Sequence, residues 1–272
     1  MAAKKPQARN KAKSRNKATK PETNAPRLLG KIALVTGGSR GIGYAIARAL
    51  AAEGCSVVIT GRDAATLKKS AEQITGLVSQ TAIAKNTAPQ VTAEVCDVRD
   101  PESVSSLFDR VKRRFGRLDI LVNNAGITQP VTTVQETSLE MWNDVIATNL
   151  TGTFLCTRAA LPLMKAGATI INNLSAAANQ VFPRYATYTA SKRGALGLTL
   201  SLREELIPRG IRVTALIPGA TATDMWDDIM PDAPREKMID VESVAQAVLY
   251  AVLLSPNANL SELLLDPAGG AF

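Results

Sequence analysis

From Leu28 to the end of the chain, short apolar runs alternate with longer stretches of helical period. Seven runs read as strands: Lys31–Thr36, Ser56–Thr60, Val91–Asp97, Leu118–Asn123, Thr169–Leu174, Arg212–Ile217 and Asn259–Leu265. Six stretches read as helices: Gly41–Glu53, Ala64–Thr75, Pro101–Phe115, Leu139–Met164, Tyr185–Ile207 and Val241–Leu254. Strand, helix, strand in repetition means parallel strands joined by right-handed crossovers. Runs such as Ile32-Ala33-Leu34-Val35 are apolar without alternation, as strands covered on both faces are. The expected fold is α/β: one doubly wound domain over residues 28–272, with a seven-stranded, mostly parallel sheet flanked by helices. A chain of 272 residues, 46% of them apolar, can close such a core without disulfides or a metal. Two connections are long. Gly76–Gln90 is assigned no function, and Gly219–Met238, rich in Asp and Pro, should lie close to the site.

The first strand runs into Thr36-Gly37-Gly38-Ser39-Arg40-Gly41-Ile42-Gly43, and a helix follows. Glycines there let the backbone turn sharply and approach a pyrophosphate, as in Rossmann-type folds. The helix N-terminus adds free N–H groups and partial positive charge. Gly37, Ser39, Arg40, Gly41, Ile42 and Gly43 are therefore candidate cofactor contacts. The second strand ends Thr60-Gly61-Arg62-Asp63. A site for NAD usually places an acid at that strand end, against the ribose hydroxyls. Gly61 instead leaves room for a 2′-phosphate, which Arg62 can hold through a charge-assisted fork and Arg40 can approach. NADP is expected in preference to NAD. Asp63 either caps the next helix or is the usual acid displaced by two positions.

Charge and composition exclude several function classes. Residues 1–27 carry nine Lys/Arg and one acid, which equals the net charge of +8 for the whole chain. The rest is neutral. With only Met and Ala as apolar side chains before Pro26, this segment is expected to be a disordered basic tail. A solvated extension is the favoured reading of the tail; an electrostatic tether to nucleic acid or an anionic surface is the other. It has no apolar core of a secretory signal and no amphipathic face of a transit peptide. No apolar run is long enough for a membrane span. The chain has no histidine, which rules out Ser-His-Asp and Cys-His catalysis and any His-ligated metal. Cys55, Cys96 and Cys156 sit in apolar runs, and read as reduced, buried cysteines of a cytoplasmic protein.

Further on come Asn123-Asn124-Ala125-Gly126, Asn149, Ser175, Tyr188-Thr189-Ala190-Ser191-Lys192, Pro218-Gly219 and Thr223. With these residues in this order, each at a strand end or on the next helix, the sequence resembles the short-chain dehydrogenase/reductase family. The resemblance covers Leu28 to about Pro267. It implies that Asn123, Ala125 and Gly126 line the adenosine side and support the sheet, with Asn124 among the cofactor contacts. It further implies that Asp97-Val98 meets the adenine, and that Pro218, Gly219 and Thr223 hold the nicotinamide. Lys192 would bind the nicotinamide ribose. Asn149 would hold a water in a proton relay running to Lys192; its place before Thr151-Gly152 also suggests a local helix distortion. Family members form dimers or tetramers through the two long helices. Phe154, Leu155 and Leu198 fit either that packing or the sheet side.

The chemistry also stands on the residues themselves. Tyr188 and Lys192, at i and i+4, share a helix face. A phenol near pKa 10 is a poor acid–base group at neutral pH, but an ammonium and an oxidised nicotinamide close by favour the phenolate. Tyr188 can then donate a proton to a carbonyl oxygen in reduction, or accept one in oxidation. Ser175 can hold the same oxygen by hydrogen bond. Tyr185 is assigned packing on the substrate side at most. Met225 and Trp226 are pocket lining or anchors. The expected activity is hydride transfer between NADP and a ketone or secondary alcohol, with no metal. The alternatives are a non-catalytic NADP-binding sensor recruited through the tail, and a 3-oxoacyl-thioester reductase. The C-terminal stretch lacks the Thr-Gly-Gln element of ketoacyl-carrier reductases, and the chain looks closer to reductases of small carbonyls or hydroxy acids.

Overall fold

The computed structural model describes residues 1–2, 26–80 and 89–270. Most of the basic tail and part of the Gly76–Gln90 connection lie outside the described residues. Arg27, the last basic residue of the expected tail, pairs with Glu53 at 2.5 Å.

Seven strands form one sheet: β1 (Ile32–Thr36), β2 (Ser56–Gly61), β3 (Val91–Val95), β4 (Ile120–Asn123), β5 (Thr169–Asn173), β6 (Arg212–Pro218) and β7 (Glu262–Leu265). Their order is β3-β2-β1-β4-β5-β6-β7. Every pairing is parallel, which sharpens the expected "mostly parallel" sheet. The order reverses between β1 and β4, and ligands of open α/β sheets bind at the carboxyl ends of strands at such a switch.

Among the described residues, seven α-helices cover the sheet: α1 (Gly41–Ala52), α2 (Ala64–Gln80), α3 (Pro101–Phe115), α4 (Leu139–Ile146), α5 (Gly152–Ala160), α6 (Ala186–Leu206) and α7 (Val241–Leu253). On one face, Ile46 and Leu50 of α1, Leu67 and Ile74 of α2, and Val244 and Val248 of α7 pack on Val35, Val57 and Val122. On the other, Leu107 of α3, Leu155 of α5 and Leu206 of α6 pack on Leu34, Leu121 and Ile170. Each such side chain contributes roughly 1.5–3 kcal/mol by leaving water.

Three expected elements differ by three residues or more, and the rest by at most two. The helix expected to end at Thr75 runs to Gln80, because Leu67, Ala71, Ile74 and Val78 continue one buried stripe past Gly76. The expected single helix 139–164 is broken by a π turn at Ala147–Thr151, and Pro162 turns its end into a 3-10 turn, Leu161–Leu163. The last strand begins at Glu262 rather than Asn259. The π turn lies where Asn149 suggested a distortion. On α5, Leu155 faces the sheet, while Phe154 is 44% exposed.

Candidate active site

At the carboxyl ends of β1 to β6 a cleft of about 830 Å³ runs across the switch point. Its β1–β3 half is built by the glycine loop. Gly37 has φ +62°, and a Cβ on it would stand 3.0 Å from the Ala125 Cα. Gly43 does not line the cleft. A Cβ there would fall 2.3 Å from the Gly37 carbonyl oxygen, so it lets α1 pack under the loop. Ser39, Arg40, Gly41 and Ile42 line the cleft beside Gly37. Arg40 opens α1 in extended conformation and makes no capping bond with its side chain.

Gly61 ends β2 with its side facing Ser39; a Cβ would lie 3.7 Å from the Ser39 Oγ. Arg62 follows, exposed, and lines the cleft. Asp63 also lines the cleft, and it caps α2 by accepting a hydrogen bond from the Thr66 N–H at 2.7 Å. The end of β3 brings Asp97 and Val98 into the wall. Arg99 grips Asp97 at 2.7 Å and holds its carboxyl below the usual range.

An asparagine network ties this half to the other. Asn124 Nδ2 donates to the Thr36 and Gly37 carbonyls at 2.9 and 3.0 Å, which clamps the glycine loop. Asn173 Nδ2 donates to Asn124 Oδ1 at 2.8 Å, and the Asn173 carbonyl accepts from Lys192 Nζ at 3.0 Å. Ala125 and Gly126 line the cleft beside them. Asn123 does not: it is buried, and donates to Thr157 and to Asn172 at 2.9 and 2.8 Å. It supports the sheet but lines no adenosine site.

In the β4–β6 half, Ser175, Tyr188 and Lys192 come together with Pro218, Gly219 and Thr223. Ser175 follows β5 and hydrogen-bonds the Tyr188 phenol. Lys192 is buried, its Nζ 5.6 Å from the centre of the Tyr188 ring. Burial pushes the phenol up to about 12, against the opposing hydrogen bond from Ser175. Burial alone pulls the Lys192 ammonium down to about 8. The expected lowering of the phenol is thus absent from the protein by itself, since desolvation outweighs the hydrogen bond from Ser175. Tyr185 packs edge-on against Tyr188, with ring centres 5.7 Å apart, and its hydroxyl accepts from Thr128 at 3.1 Å.

Asn149 sits on the π turn, outside the cleft lining. Its Oδ1 accepts from the Ile127 N–H at 2.9 Å, and its Nδ2 donates to the Ile127 carbonyl and to Ser191 Oγ at 2.9 and 3.0 Å. Gly126 separates it from Lys192: a Cβ there would lie 3.4 Å from Asn149 Oδ1 and 3.6 Å from Lys192 Nζ.

Sequence reasoning missed Gln129 and Asn173. Gln129 is 1% exposed, and its Oε1 accepts from the Tyr188 N–H at 3.1 Å. No motif surrounds it. Asn173 had a signal, since Asn172-Asn173 interrupt an otherwise apolar strand. No group of three or more metal-ligating side chains occurs among the described residues. No described helix is long and apolar enough to cross a membrane.

Residues 31–234 match the family model of short chain dehydrogenases. The chain belongs to the short-chain dehydrogenase/reductase family. Among its relatives, an "uncharacterized oxidoreductase" of Staphylococcus saprophyticus is 34% identical over 239 residues, covering 87% of this chain and 97% of that protein. A 3-oxoacyl-(acyl-carrier-protein) reductase of Synechocystis sp. is 40% identical over 205 residues, 74% of this chain and 78% of the relative. The crystal structure of a short chain dehydrogenase from Burkholderia cenocepacia, in complex with NADP, matches with a TM-score of 0.79 at 33% identity, covering 89% of this chain and 98% of that one. In this short-chain dehydrogenase/reductase most of the motif residues line the cleft, whereas Gly43, Asn123 and Asn149 lie outside its lining.

Proposed function

We propose that the chain is an NADP-dependent oxidoreductase that interconverts a ketone and a secondary alcohol. The observation that carries this reading is the meeting of Ser175, Tyr188 and Lys192 in the same cleft as the glycine loop. The β1–β3 half fits a dinucleotide phosphate. Gly37 lets the backbone come close, and the N-terminus of α1 faces the loop. Arg40 and Arg62 make no salt bridge with any described residue, and no acid replaces Gly61 at the strand end. NADP-bound relatives of known structure add to this preference.

The cofactor, when bound, supplies or takes up the hydride. In reduction, Ser175 donates a hydrogen bond to the carbonyl oxygen, and Tyr188 passes its phenolic proton to that oxygen. Lys192 stabilises the phenolate that forms and holds the cofactor's ribose. Asn149 braces Ile127 and Ser191, and the gap beside Gly126 gives a relay water a place between Asn149 and Lys192. Exposed Leu139, Trp142 and Phe154 on α4 and α5 suit a homodimer or homotetramer. Three free, buried thiols suit a cytoplasmic setting.

The test is titration with NADPH and NADH, following nicotinamide fluorescence, then oxidation of NADPH by a panel of ketones. Tight NADPH binding with turnover supports the reading. Binding of neither nucleotide overturns it.

A further inference from the structure

Resting on that reading, we infer that the substrate end of the cleft takes a neutral, apolar carbonyl compound or its alcohol, and discriminates against anionic ones. Beyond Ser175 and Tyr188 the wall comes from three segments that follow β4, β5 and β6. They contribute Val131, then Phe182 and Tyr185, then Trp226, Ile229 and Met230. The segments are tied together, as Thr132 N–H donates to the Arg184 carbonyl at 3.0 Å and Thr128 to Tyr185.

The polar atoms of this wall are largely turned to its own structure. Trp226 Nε1 donates to the Thr221 carbonyl at 2.9 Å, which fixes the indole and leaves its hydrocarbon face as lining. Arg235 holds the same segment through the Thr223 carbonyl and Asp227, and does not line the cleft. Among the described residues, the cationic lining residues are elsewhere. Arg40 and Arg62 belong to the β1–β3 half, Arg99 is paired with Asp97 and Asp144, and Lys192 is buried against Asn173. Asp224, from the segment after β6, adds a carboxylate rather than a cation to the lining. A carboxylate brought here would lose water without gaining a cation.

At the rim, Val131, Phe182 and Met230 are 43%, 41% and 47% exposed. Apolar side chains clustered at a cleft mouth mark a binding surface more than chance exposure does. They suit an aryl or long alkyl substituent on the carbonyl carbon. Small hydroxy acids, one of the sequence expectations, fit this wall poorly.

The experiment is calorimetric titration of the full-length, NADP-loaded protein with three probes: 1-phenyl-1-propanone, phenylglyoxylate and acetoacetyl-coenzyme A. The neutral ketone is expected to bind at least tenfold more tightly than either anion. Phe182→Ser, at an exposed position, and Trp226→Ala should each weaken the ketone several-fold with NADPH affinity unchanged. Equal or tighter binding of phenylglyoxylate or the thioester overturns the inference, as does failure of the ketone to bind. Turnover is read separately. A ketone that binds but never oxidises NADPH defeats the oxidoreductase reading and leaves the character of this wall standing.

Discussion

Gln129 Oε1 accepts a hydrogen bond from the backbone N–H of Tyr188 at 3.1 Å, across 59 residues of sequence. Tyr188 is the third residue of α6, and the residue preceding that helix, Tyr185, makes no side-chain cap. A glutamine from the segment after β4 thus satisfies one of the open N–H groups of the helix that carries Tyr188 and Lys192. Gln129→Leu keeps the volume and leaves that donor unpaired, which costs about 1–3 kcal/mol. At this chain length that lowers Tm by roughly 2–4 °C per kcal/mol, measurable by thermal denaturation. The turnover number should fall because Tyr188 is less well placed, while NADPH affinity stays the same. Unchanged turnover would limit Gln129 to a stabilising part.

Removal of the Tyr188 hydroxyl tests the proton transfer itself. Tyr188→Phe keeps the ring that packs on Tyr185 and removes the group that Ser175 hydrogen-bonds. Steady-state assay should find NADPH oxidation reduced by at least two orders of magnitude, the scale of one positioned acid. Nucleotide affinity should change little. Substantial remaining turnover would remove Tyr188 from the mechanism.

How much of this was legible in the sequence follows how local each feature is. Tyr188 and Lys192 lie one helical turn apart, so their shared face could be read from spacing alone. The glycine loop is eight consecutive residues, and its fold is fixed by its own backbone. Gln129 could not be read, because its partner is set by how the segment after β4 passes over α6. The resemblance implies that Asn123 lines the adenosine side and supports the sheet, and it does only the second. The strand's alternation turns its side chain to the face covered by α5, where it donates to Thr157 and to Asn172 of β5. Gly76 predicts an end to α2 at Thr75, but its propensity cost of about 1 kcal/mol is outweighed by the burial of Val78.

The buried ammonium of Lys192 predicts a pH dependence. Burial lowers it to about 8, and the Tyr188 phenol stands at about 12 in the free protein. Carbonyl reduction needs the phenol protonated and the ammonium charged, so both requirements hold below about 8. The kcat/KM profile for reduction, which reports the free enzyme, should be level near pH 7 and fall as pH rises through 8. A profile level to pH 10 would place the Lys192 titration elsewhere.

Cofactor preference is the sharpest test of the β1–β3 half. Gly61 puts no carboxylate at the end of β2, and Asp63 is occupied in capping α2. Arg40 and Arg62 both line the cleft, and Ser39 Oγ lies 3.7 Å from where a Gly61 Cβ would stand. On the proposed reading a 2′-phosphate would gain charge-assisted bonds from both arginines, whereas the 2′-hydroxyl of NADH would gain little. Each charge-assisted bond contributes about 1.5–3 kcal/mol, so Arg40→Ala with Arg62→Ala should weaken NADPH binding by at least tenfold. NADH affinity should move less than twofold in the same fluorescence titration. Asp63→Ala should leave the ratio between the two nucleotides unchanged. A double variant that loses both nucleotides equally would assign these arginines to the pyrophosphate, and the preference for NADPH would need another origin.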